Sequence, residues 1–497
     1  MASYGAVPLP TMIMCDAELA LESITSLCVR IGSGRLSPVK YAEELLGRID
    51  MLDGRLRSFI RVMPDHALVQ ARAAEIALKS GADLGILHGI PYAAKDLFDV
   101  KGVPTTAGTH LLANNVAGQD ATVVRKLAAA GMVLVGKTHT VQFAYGAAGI
   151  NHDHGTPHNP WHSLPHAPGG SSSGSAVAVA AGLVPMALGT DTGGSVRVPA
   201  ALCGIVGLKT TVGRVSRTGV YPLCWTLDSV GPITRTVEDA ALLYQAMQGT
   251  DPSDESTVGI ASHDVLRGLK DGVKGLRIAF GETLFFDDVD SEVEKAVREA
   301  GQVFRSLGAQ LSSIAVPEAA AAWEEKNRPL LIPAEACAVN RELLDHHLAE
   351  LDPVIGPRML TGRTLSAPDY FALLRRFADL QAQVQWTLRD VDALLVPTTM
   401  APAWPLAAID ASPESYLDYN MRVHRNTGLG NILNLCAVSV PCGFTSTGMP
   451  IGLMIYAKAF HEDMALRVAH AFEQATQWHT RRPDLAWMAT AAGAGNS

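Results

Sequence analysis

Two segments rich in glycine and serine lie close together in this chain, at residues 169–175 and 191–197. The residues between them, 176–189, are almost all small and apolar. A flexible glycine-serine linker sits among polar residues and needs no apolar partner. Here the serines adjoin a segment that is stable only inside a hydrophobic core. We therefore expect serine hydroxyls held on tight backbone turns in a dry interior, where they are placed for chemistry.

The composition and the charge indicate an ordinary globular protein. Hydrophobic residues make up 48% of the 497 residues and charged residues 18%, which is enough apolar material for a large core. The net charge of −9 argues against nucleic acid or an acidic membrane surface as the main partner. We find no apolar run long enough to cross a bilayer and no secretory signal at the start. These features predict a cytoplasmic protein.

The order of the predicted elements favours an α/β fold. Helices are expected at about residues 38–49, 65–77, 120–130, 173–181, 236–247, 291–307 and 371–389, with Asp120 capping the third. Strands are expected at about 89–95, 132–135, 184–188, 205–208, 276–280, 393–396, 437–440 and 450–455. We find no internal repeat and no second core of distinct composition, so we expect one large domain.

Ser195 stands at the second glycine-serine segment. It follows Gly193 and Gly194, which allow the backbone to turn sharply and to point successive N–H groups at one place. A serine there could attack a carbonyl carbon while the neighbouring amides stabilise the oxyanion. A structural serine that caps a Gly-Gly turn fits the same motif, so the motif alone leaves both interpretations open.

A serine nucleophile needs a base, and histidine is the usual one. The Gly-x-Ser-x-Gly motif of a nucleophile elbow does not occur around Ser195. Five histidines cluster in one short stretch and permit a metal site instead. They are His152, His154, His158, His162 and His166. Pro157, Pro160 and Pro165 interrupt any regular spacing, so we favour a surface loop for this stretch.

Lysine is the other candidate base. In an apolar pocket the charged form of lysine is penalised, so its pKa falls and a neutral amine can accept a proton near pH 7. Lys95 ends the apolar strand expected at 89–95, and Lys137 and Lys209 also follow apolar strands. An apolar-flanked lysine often extends its charged end to solvent instead. Spacing alone does not choose among the three.

Residues 168–209 resemble the signature of the amidase signature family of serine hydrolases. Flanking motifs agree with it: Gly-Ile-Pro at 89–91 before Lys95, Gly-Lys-Thr at 136–138, Asn-Pro-Trp at 159–161 and Pro-Cys-Gly at 441–443. The resemblance extends from about residue 21 to residue 483. It implies an α/β fold with a mixed, mostly parallel central sheet that is covered on both faces by helices.

The resemblance also implies a division of the single amidase domain, residues 1–497. The parts are a helical N-terminal part at about 1–80, a signature core at about 81–248, a variable insertion at about 250–430, closing strands and a helix at about 431–483, and a loose tail at 484–497. Substrate choice is expected to lie in the insertion and in loops outside the signature.

In that family the catalytic set is Ser-cisSer-Lys. The resemblance implies that Ser195 is the nucleophile and that Ser171, 24 positions earlier, connects it to the base. It implies that Lys95 is this base, in preference to its two rivals. A cis peptide bond between Gly170 and Ser171 is implied as well.

The same resemblance gives supporting roles to further residues. The expected oxyanion hole consists of four backbone amides: Thr192, Gly193, Gly194 and Ser195. The expected supporting side chains are Ser172, Asp191 and Arg197, the last two as hydrogen-bonded anchors of the nucleophile loop. A surface ion pair is the alternative for Asp191 and Arg197. No metal and no organic cofactor is required.

The sequence constrains the substrate less than it constrains the catalytic residues. The backbone of Ala144, Tyr145 and Gly146 is expected to border the acyl pocket, with Tyr221 and Trp225 as candidate walls. Plain core packing is the alternative for each of them. The apolar surroundings and the lack of an obvious arginine favour an uncharged amide.

We therefore expect a hydrolase that acts on non-peptide C–N bonds in linear amides, and carbamates and aryl amides lie within the same chemistry. The expected partner is a small-molecule amide, without nucleic acid or membrane. The resemblance allows a homodimer.

Two other functions remain as alternatives, since the intact triad argues against a third, a catalytically silent binding protein on the same scaffold. The first is the A subunit of a glutamyl-tRNA(Gln) amidotransferase, which takes ammonia from its own glutaminase site and works with a partner subunit that holds tRNA. The acidic net charge and the segment 471–479, which is more similar to stand-alone amidases, argue against it. The second is a metal-dependent hydrolase that uses the histidine cluster between His152 and His166.

Overall fold

A computed structural model describes residues 19–324 and 331–488. The first residues of the expected N-terminal part, residues 325–330 of the expected insertion and residues 489–497 of the expected tail lie outside this range. The expected division into parts stays a prediction.

The described residues contain eleven strands. They are β1 (Phe59–Val62), β2 (Pro91–Lys95), β3 (Val133–Thr138), β4 (Met186–Asp191), β5 (Val206–Lys209), β6 (Ser229–Thr234), β7 (Arg277–Gly281), β8 (Gln310–Ile314), β9 (Ala393–Pro397), β10 (Cys436–Phe444) and β11 (Pro450–Ala457). They form one sheet in the order β1-β3-β2-β4-β6-β5-β10-β11-β9-β7-β8.

The sheet is mixed, as expected, but it is not mostly parallel. In the described sheet β3–β2, β2–β4, β9–β7 and β7–β8 are parallel, and the other six neighbouring pairs are antiparallel. Parallel neighbours need a long crossover, whereas antiparallel neighbours can be joined by a short turn. The turn at 445–449 joins β10 to β11 in this way. The resemblance implied a mostly parallel sheet, and this part of the expectation was wrong because the order of predicted elements along the chain does not give the pairing of the strands.

The described helices follow the same chain order. They are α1 (Ile24–Gly32), α2 (Pro38–Leu56), α3 (Pro64–Lys79), α4 (Thr122–Ala129), α5 (Ser173–Ala180), α6 (Arg197–Cys203), α7 (Val237–Met247), α8 (Ser291–Ser306), α9 (Pro317–Trp323), α10 (Leu331–Val339), α11 (Arg341–His346), α12 (Ile355–Leu360), α13 (Ala367–Thr387), α14 (Leu406–Ile409), α15 (Pro413–Ile432) and α16 (Glu462–Ala475). All seven expected helices are present, with ends that differ by a few residues.

One expected helix cap is wrong. Helix α4 begins at Thr122 with Ala121 as its N-cap, and no side chain caps it. The Asp120 carboxylate accepts a hydrogen bond from the Lys101 amide at 2.7 Å instead. A loop amide thus competes successfully for the carboxylate that the sequence pattern gave to the helix.

Helices cover both faces of the sheet, as expected. Successive residues of a strand point to opposite faces. In β2, Tyr92 and Ala94 belong to the same buried cluster as Leu243 of α7, whereas Ala93 belongs to another cluster with Val177 of α5. The strands that lie in the middle of the sheet are therefore buried on both sides.

Helix α5 carries the first glycine-serine segment into the core, and all eight of its residues are buried. Its small side chains allow the helix backbone to approach the sheet closely. A Cβ on Gly174 would lie 2.1 Å from the Ser58 carbonyl oxygen and 2.4 Å from the His139 backbone nitrogen. This close approach confirms that the segment belongs to the core and is not a linker.

Strands β2 and β4 bring the two halves of the expected site together. They are parallel neighbours, with Ala93 opposite Ala187. Lys95 is the last residue of β2 and Asp191 is the last residue of β4. Both therefore lie where these parallel strands end, on the same side of the sheet's hydrogen-bonded region. Within the described residues, none of the helices is long and apolar enough to span a lipid bilayer.

Replacing Gly174 with alanine should destabilise the protein by about 1–3 kcal/mol, because the added methyl group overlaps backbone atoms that cannot move away easily. The measurement is urea-induced unfolding followed by circular dichroism. Gly47→Ala is the matched control, since Gly47 lies in α2 and no atom lies within 4 Å of the place that its Cβ would take. It should stabilise the protein by up to about 1 kcal/mol. Equal stability of the two variants would contradict the close packing of α5.

Candidate active site

The Lys95 side chain lies in a dry pocket at the carboxyl ends of β2 and β4. Its side chain is completely buried, and its amine donates hydrogen bonds to Ser171 Oγ at 2.7 Å and to Thr190 Oγ1 at 2.8 Å. Burial lowers the pKa of Lys95 to about 7, although the charges of Asp228 and Asp191 oppose the shift. The amine therefore loses its proton easily near neutral pH, and it lies next to a serine hydroxyl.

The two rival lysines have structural partners. Lys137 lies 2.7 Å from Asp96 Oδ1 in a buried ion pair. Lys209 donates to the carbonyl oxygens of Thr210 and Leu435, each at 2.9 Å, and burial together with the charge of Arg197 lowers its pKa to about 8. Of the three candidates, Lys95 is the one that contacts a serine of the glycine-serine segments.

Ser171 and Ser195 belong to two segments that are joined through the backbone. The peptide bond between Gly170 and Ser171 is cis, as the resemblance implied. The Ser172 amide donates to the Ser195 carbonyl oxygen at 3.2 Å. The Ser172 hydroxyl donates to the Thr190 carbonyl oxygen at 3.4 Å. Ser172 therefore supports the contact between the two segments.

The Asp191 carboxylate fixes the loop that carries Ser195. It accepts hydrogen bonds from the Gly194 amide at 2.9 Å and the Val196 amide at 3.2 Å. The Arg197 guanidinium donates to both of its oxygens, at 2.9 Å and 3.0 Å. Both charged side chains are completely buried, which rules out the surface ion pair.

Arg197 connects this anchor to helix α15 and strand β11. It donates to the Thr427 carbonyl oxygen at 2.9 Å, to Asn431 Oδ1 at 2.6 Å and to the Tyr456 hydroxyl at 3.1 Å. Burial alone would raise the pKa of Asp191, but the guanidinium outweighs burial and holds this pKa well below its usual range. Sequence reasoning missed these partners on α15 and β11, because no local motif marks them.

The four expected oxyanion amides do not all point to the same place. The Gly194 amide is bonded to Asp191, so it is not free to bind an oxyanion. Its residue has φ of +129°, and a Cβ there would lie 2.1 Å from Thr427 Oγ1, so glycine is required. Among the described residues, the amides of Thr192, Gly193 and Ser195 have no hydrogen-bond acceptor. Three of the four expected donors thus remain available.

Ser195 opens onto a cavity. The cavity is lined on one side by Ala144, Tyr145 and Gly146, as expected. Tyr221 and Trp225 do not line it. The Tyr221 hydroxyl donates to Asn340 Oδ1 at 2.8 Å, and the Trp225 side chain is 53% exposed on the surface.

Sequence reasoning missed the other wall of the cavity. Helices α10, α12 and α15 supply this wall with Ile332, Arg358, Asn420 and His424. Arg358 donates to the Tyr145 carbonyl oxygen at 3.1 Å, and its guanidinium carbon lies 4.2 Å from the Tyr145 ring centre. The cavity therefore contains a cation that the sequence gave no reason to expect there.

The histidine-rich stretch does not form one centre. His152 lies 2.6 Å from Asp352 and 2.9 Å from Asp410, and these carboxylates raise its pKa to about 9. The His162 and His166 rings pair with each other, with ring centres 4.1 Å apart. The His158 ring packs against Trp487. The five side chains therefore have separate surroundings and do not support a shared catalytic metal.

The comparison with protein families now decides the relationship. A family model described as Amidase matches residues 40–466. The chain belongs to the amidase family.

The curated relatives of this amidase include the A subunit of glutamyl-tRNA(Gln) amidotransferase from Chromohalobacter salexigens. The two sequences are 39% identical over 488 residues, which cover 93% of this amidase and 98% of that protein. The subunit of the same name from Gloeobacter violaceus is 36% identical, over 94% of this amidase and 99% of its own length.

Solved structures give the same family. The A subunit of glutamyl-tRNA(Gln) amidotransferase from Thermotoga maritima superposes with a TM-score of 0.79 and 32% identity, covering 95% of this amidase and 99% of that chain. The native peptide amidase from Stenotrophomonas maltophilia superposes with a TM-score of 0.82 and 31% identity, covering 93% and 98%. The single α/β domain is thus the fold of this family.

These relatives overturn two expectations from the sequence. We expected a hydrolase of non-peptide C–N bonds in linear amides. The curated relatives are instead named as amidotransferase subunits. The expectation of a small-molecule partner without nucleic acid is also wrong, because that enzyme is named for glutamyl-tRNA(Gln). The net charge of −9 was not sufficient for this inference, because it is a sum over one chain and does not identify the partners of that chain.

Replacing Arg197 with methionine should lower the free energy of unfolding by about 3–5 kcal/mol, because Asp191 would stay buried without its counter-ion. The measurement is urea-induced unfolding. Lys79→Met is the matched control, since Lys79 pairs with Glu75 on the exposed surface of α3. That substitution should cost less than about 0.5 kcal/mol. Similar losses in both variants would show that the buried pair does not anchor the loop.

Proposed function

We propose that this amidase is the A subunit of a glutamyl-tRNA(Gln) amidotransferase and that it releases ammonia from glutamine. The similarity to that subunit over 93% of the chain carries the proposal. The contact between the buried amine of Lys95 and Ser171 supports it, since a serine-based amide hydrolysis needs such a base.

The first step makes Ser195 nucleophilic. The uncharged amine of Lys95 accepts the hydroxyl proton of Ser171, and Ser171 accepts the hydroxyl proton of Ser195. The Ser195 oxygen then bonds to the carboxamide carbon of glutamine, and the carbonyl π electrons move to the oxygen. The pKa of about 7 for Lys95 supports this step, because a large fraction of the amine is uncharged at neutral pH.

The second step breaks the C–N bond. The backbone amides of Thr192, Gly193 and Ser195 stabilise the oxyanion. As the tetrahedral intermediate collapses, the proton returns through Ser171 to the leaving nitrogen, and ammonia departs. Water then attacks the acyl ester, gives its proton to the same relay, and releases glutamate and free Ser195.

The position of Arg358 supports glutamine as the substrate. Arg358 and Ser195 line the same cavity, so a carboxamide at Ser195 can have its carboxylate at Arg358. A guanidinium binds a carboxylate through charge-assisted hydrogen bonds. The pocket residues from α10, α12 and α15 lie in the segment 250–430, and we propose that this segment sets substrate choice.

In this proposal the released ammonia is the nitrogen source for a second reaction. The other subunits hold glutamyl-tRNA(Gln) and transfer a phosphoryl group from a nucleoside triphosphate to its glutamyl carboxylate. The ammonia from this amidase then attacks the acyl phosphate, the C–O bond to phosphate breaks, and glutaminyl-tRNA(Gln) and inorganic phosphate are released. The cytoplasmic location expected from the sequence stays a prediction.

With ATP present to activate the glutamyl carboxylate, an affinity-tagged chain isolated with its co-purifying subunits should convert glutamyl-tRNA(Gln) to glutaminyl-tRNA(Gln) with glutamine as the nitrogen donor. The alanine variants of Ser195, Ser171 and Lys95 should lose at least about 1,000-fold in glutamine-dependent transfer, because each removes part of the relay. The measurement is chromatographic separation of the amino acids released from the tRNA.

Ser173→Ala is the matched control for this assay, since the Ser173 hydroxyl is buried in the same segment and contacts no hydrogen-bond partner in the described residues. It should keep transfer within about twofold of the unmodified chain. The subunit proposal fails if the unmodified chain co-purifies with no other subunit and gives no transfer. The relay fails if Ser195→Ala keeps glutamine hydrolysis.

The pH dependence should report the protonation of Lys95. Protonated Lys95 cannot accept a proton, so kcat/KM for glutamine should fall about tenfold per pH unit below pH 7 and level off above it. The measurement is a profile of glutamine hydrolysis from pH 5 to pH 9. Lys209→Met is the control, because Lys209 is the other buried lysine with a lowered pKa. If kcat/KM of Lys209→Met no longer falls below pH 7, Lys209 and not Lys95 would be the base.

A further inference from the structure

Three potential metal ligands meet away from the cavity at Ser195. They are His110, the first residue of a short 3₁₀ helix (His110–Leu112) between β2 and α4, and Asp153 and His154, in the histidine-rich stretch. One ligand atom of each side chain lies within 4.8 Å of those of the other two. The His110 and His154 rings are stacked with their centres 4.0 Å apart. Two distant parts of the sequence thus place two imidazoles and a carboxylate together.

Buried imidazole nitrogens at this place lack partners. His154 Nε2 is buried and has no hydrogen-bond partner of good geometry among the described residues. The same holds for both ring nitrogens of His139, a side chain that is only 2% exposed. The His139 and His154 rings meet edge to face, with centres 6.3 Å apart. Unpartnered buried nitrogens are costly, and an ion bound through His154 Nε2 would remove that cost.

The backbone holds the ligands in position without the ion. Asn151 Oδ1 accepts from the amides of Asp153 and His154, each at 2.8 Å. The Asn151 side-chain amide donates to the carbonyl oxygens of Gly108 and Thr140, at 2.9 Å and 2.8 Å. Asp153 also accepts from the His110 amide at 2.8 Å and contacts the His110 ring. These bonds fix the backbone of the three ligands, and zinc binding then requires the stacked His110 and His154 rings to turn so that one nitrogen of each faces the ion.

We propose that His110, Asp153 and His154 form a binding site for Zn²⁺. Two imidazole nitrogens and one carboxylate oxygen are a donor set that zinc accepts. None of the three residues lines the cavity at Ser195, so the ion has no part in the proposed amide chemistry. The ion joins His110 to the segment 151–155. It stabilises the folded chain because the unfolded chain does not hold the ligands together.

The test measures Zn²⁺ binding to the full chain, without an affinity tag, by isothermal titration calorimetry after treatment with a chelator. One equivalent should bind to the unmodified chain, and the midpoint of thermal unfolding should rise with Zn²⁺. His110→Ala and Asp153→Asn should each weaken binding by at least about tenfold. The His110 side chain is 64% exposed, so its removal leaves folding intact.

His346→Ala is the control, since His346 is an exposed histidine far along the chain, and it should bind Zn²⁺ as the unmodified chain does. The proposal is wrong if the unmodified chain binds no zinc, or if His110→Ala and Asp153→Asn bind it as tightly as His346→Ala. Chelation should leave the hydrolysis of glutamine unchanged. A loss of hydrolysis on chelation, restored by zinc, would contradict the structural role.

Discussion

The shape of the nucleophile loop depends on the ion pair between Asp191 and Arg197. Both groups are completely buried, and moving them from water into the core is costly unless their hydrogen bonds are satisfied. Here they are satisfied, because the carboxylate accepts from two loop amides and the guanidinium also bonds to Asn431 and Tyr456. The pair therefore turns Gly194 inward and leaves neighbouring amides directed elsewhere. A change at α15 would reach the loop of Ser195 through this ion pair and through the hydrogen bond from the Thr427 hydroxyl to the Gly193 carbonyl oxygen, and a change at β11 would reach it through Tyr456 and Arg197.

Dry packing of small residues has a similar influence on Lys95. Helix α5 consists of small residues and approaches the sheet so closely that even a methyl group on Gly174 would overlap the backbone. Water is excluded, and desolvation is the largest cause of the lowered pKa of Lys95. The hydrogen-bond partners of its amine are two hydroxyls and not a carboxylate, so the charges of Asp228 and Asp191 oppose this effect without outweighing it. The glycines and serines of the signature thus serve the base as much as the nucleophile.

The sequence predicted the parts of this structure whose causes are local in the chain. The α/β class, seven of the sixteen described helices and the convergence of Lys95 with Ser171 were predicted, because each depends on a contiguous motif or on the signature. The sequence did not predict that the Gly194 amide would bind Asp191, since this depends on loop geometry. Arg358 was missed because it reaches the cavity from a distant helix. Antiparallel pairing was missed because strand neighbours are set by tertiary packing and not by strand composition.

The chemistry up to the release of ammonia is the same for a hydrolase and for an amidotransferase subunit. In both, a serine attacks an amide carbon and the C–N bond breaks, and the enzymes differ only in where the nitrogen goes next. The Lys95, Ser171 and Ser195 site therefore cannot distinguish the two functions by its own geometry. The two functions differ in where the nitrogen goes after it leaves the site. Similarity over nearly the whole chain therefore supports one of two functions that the active site leaves equal.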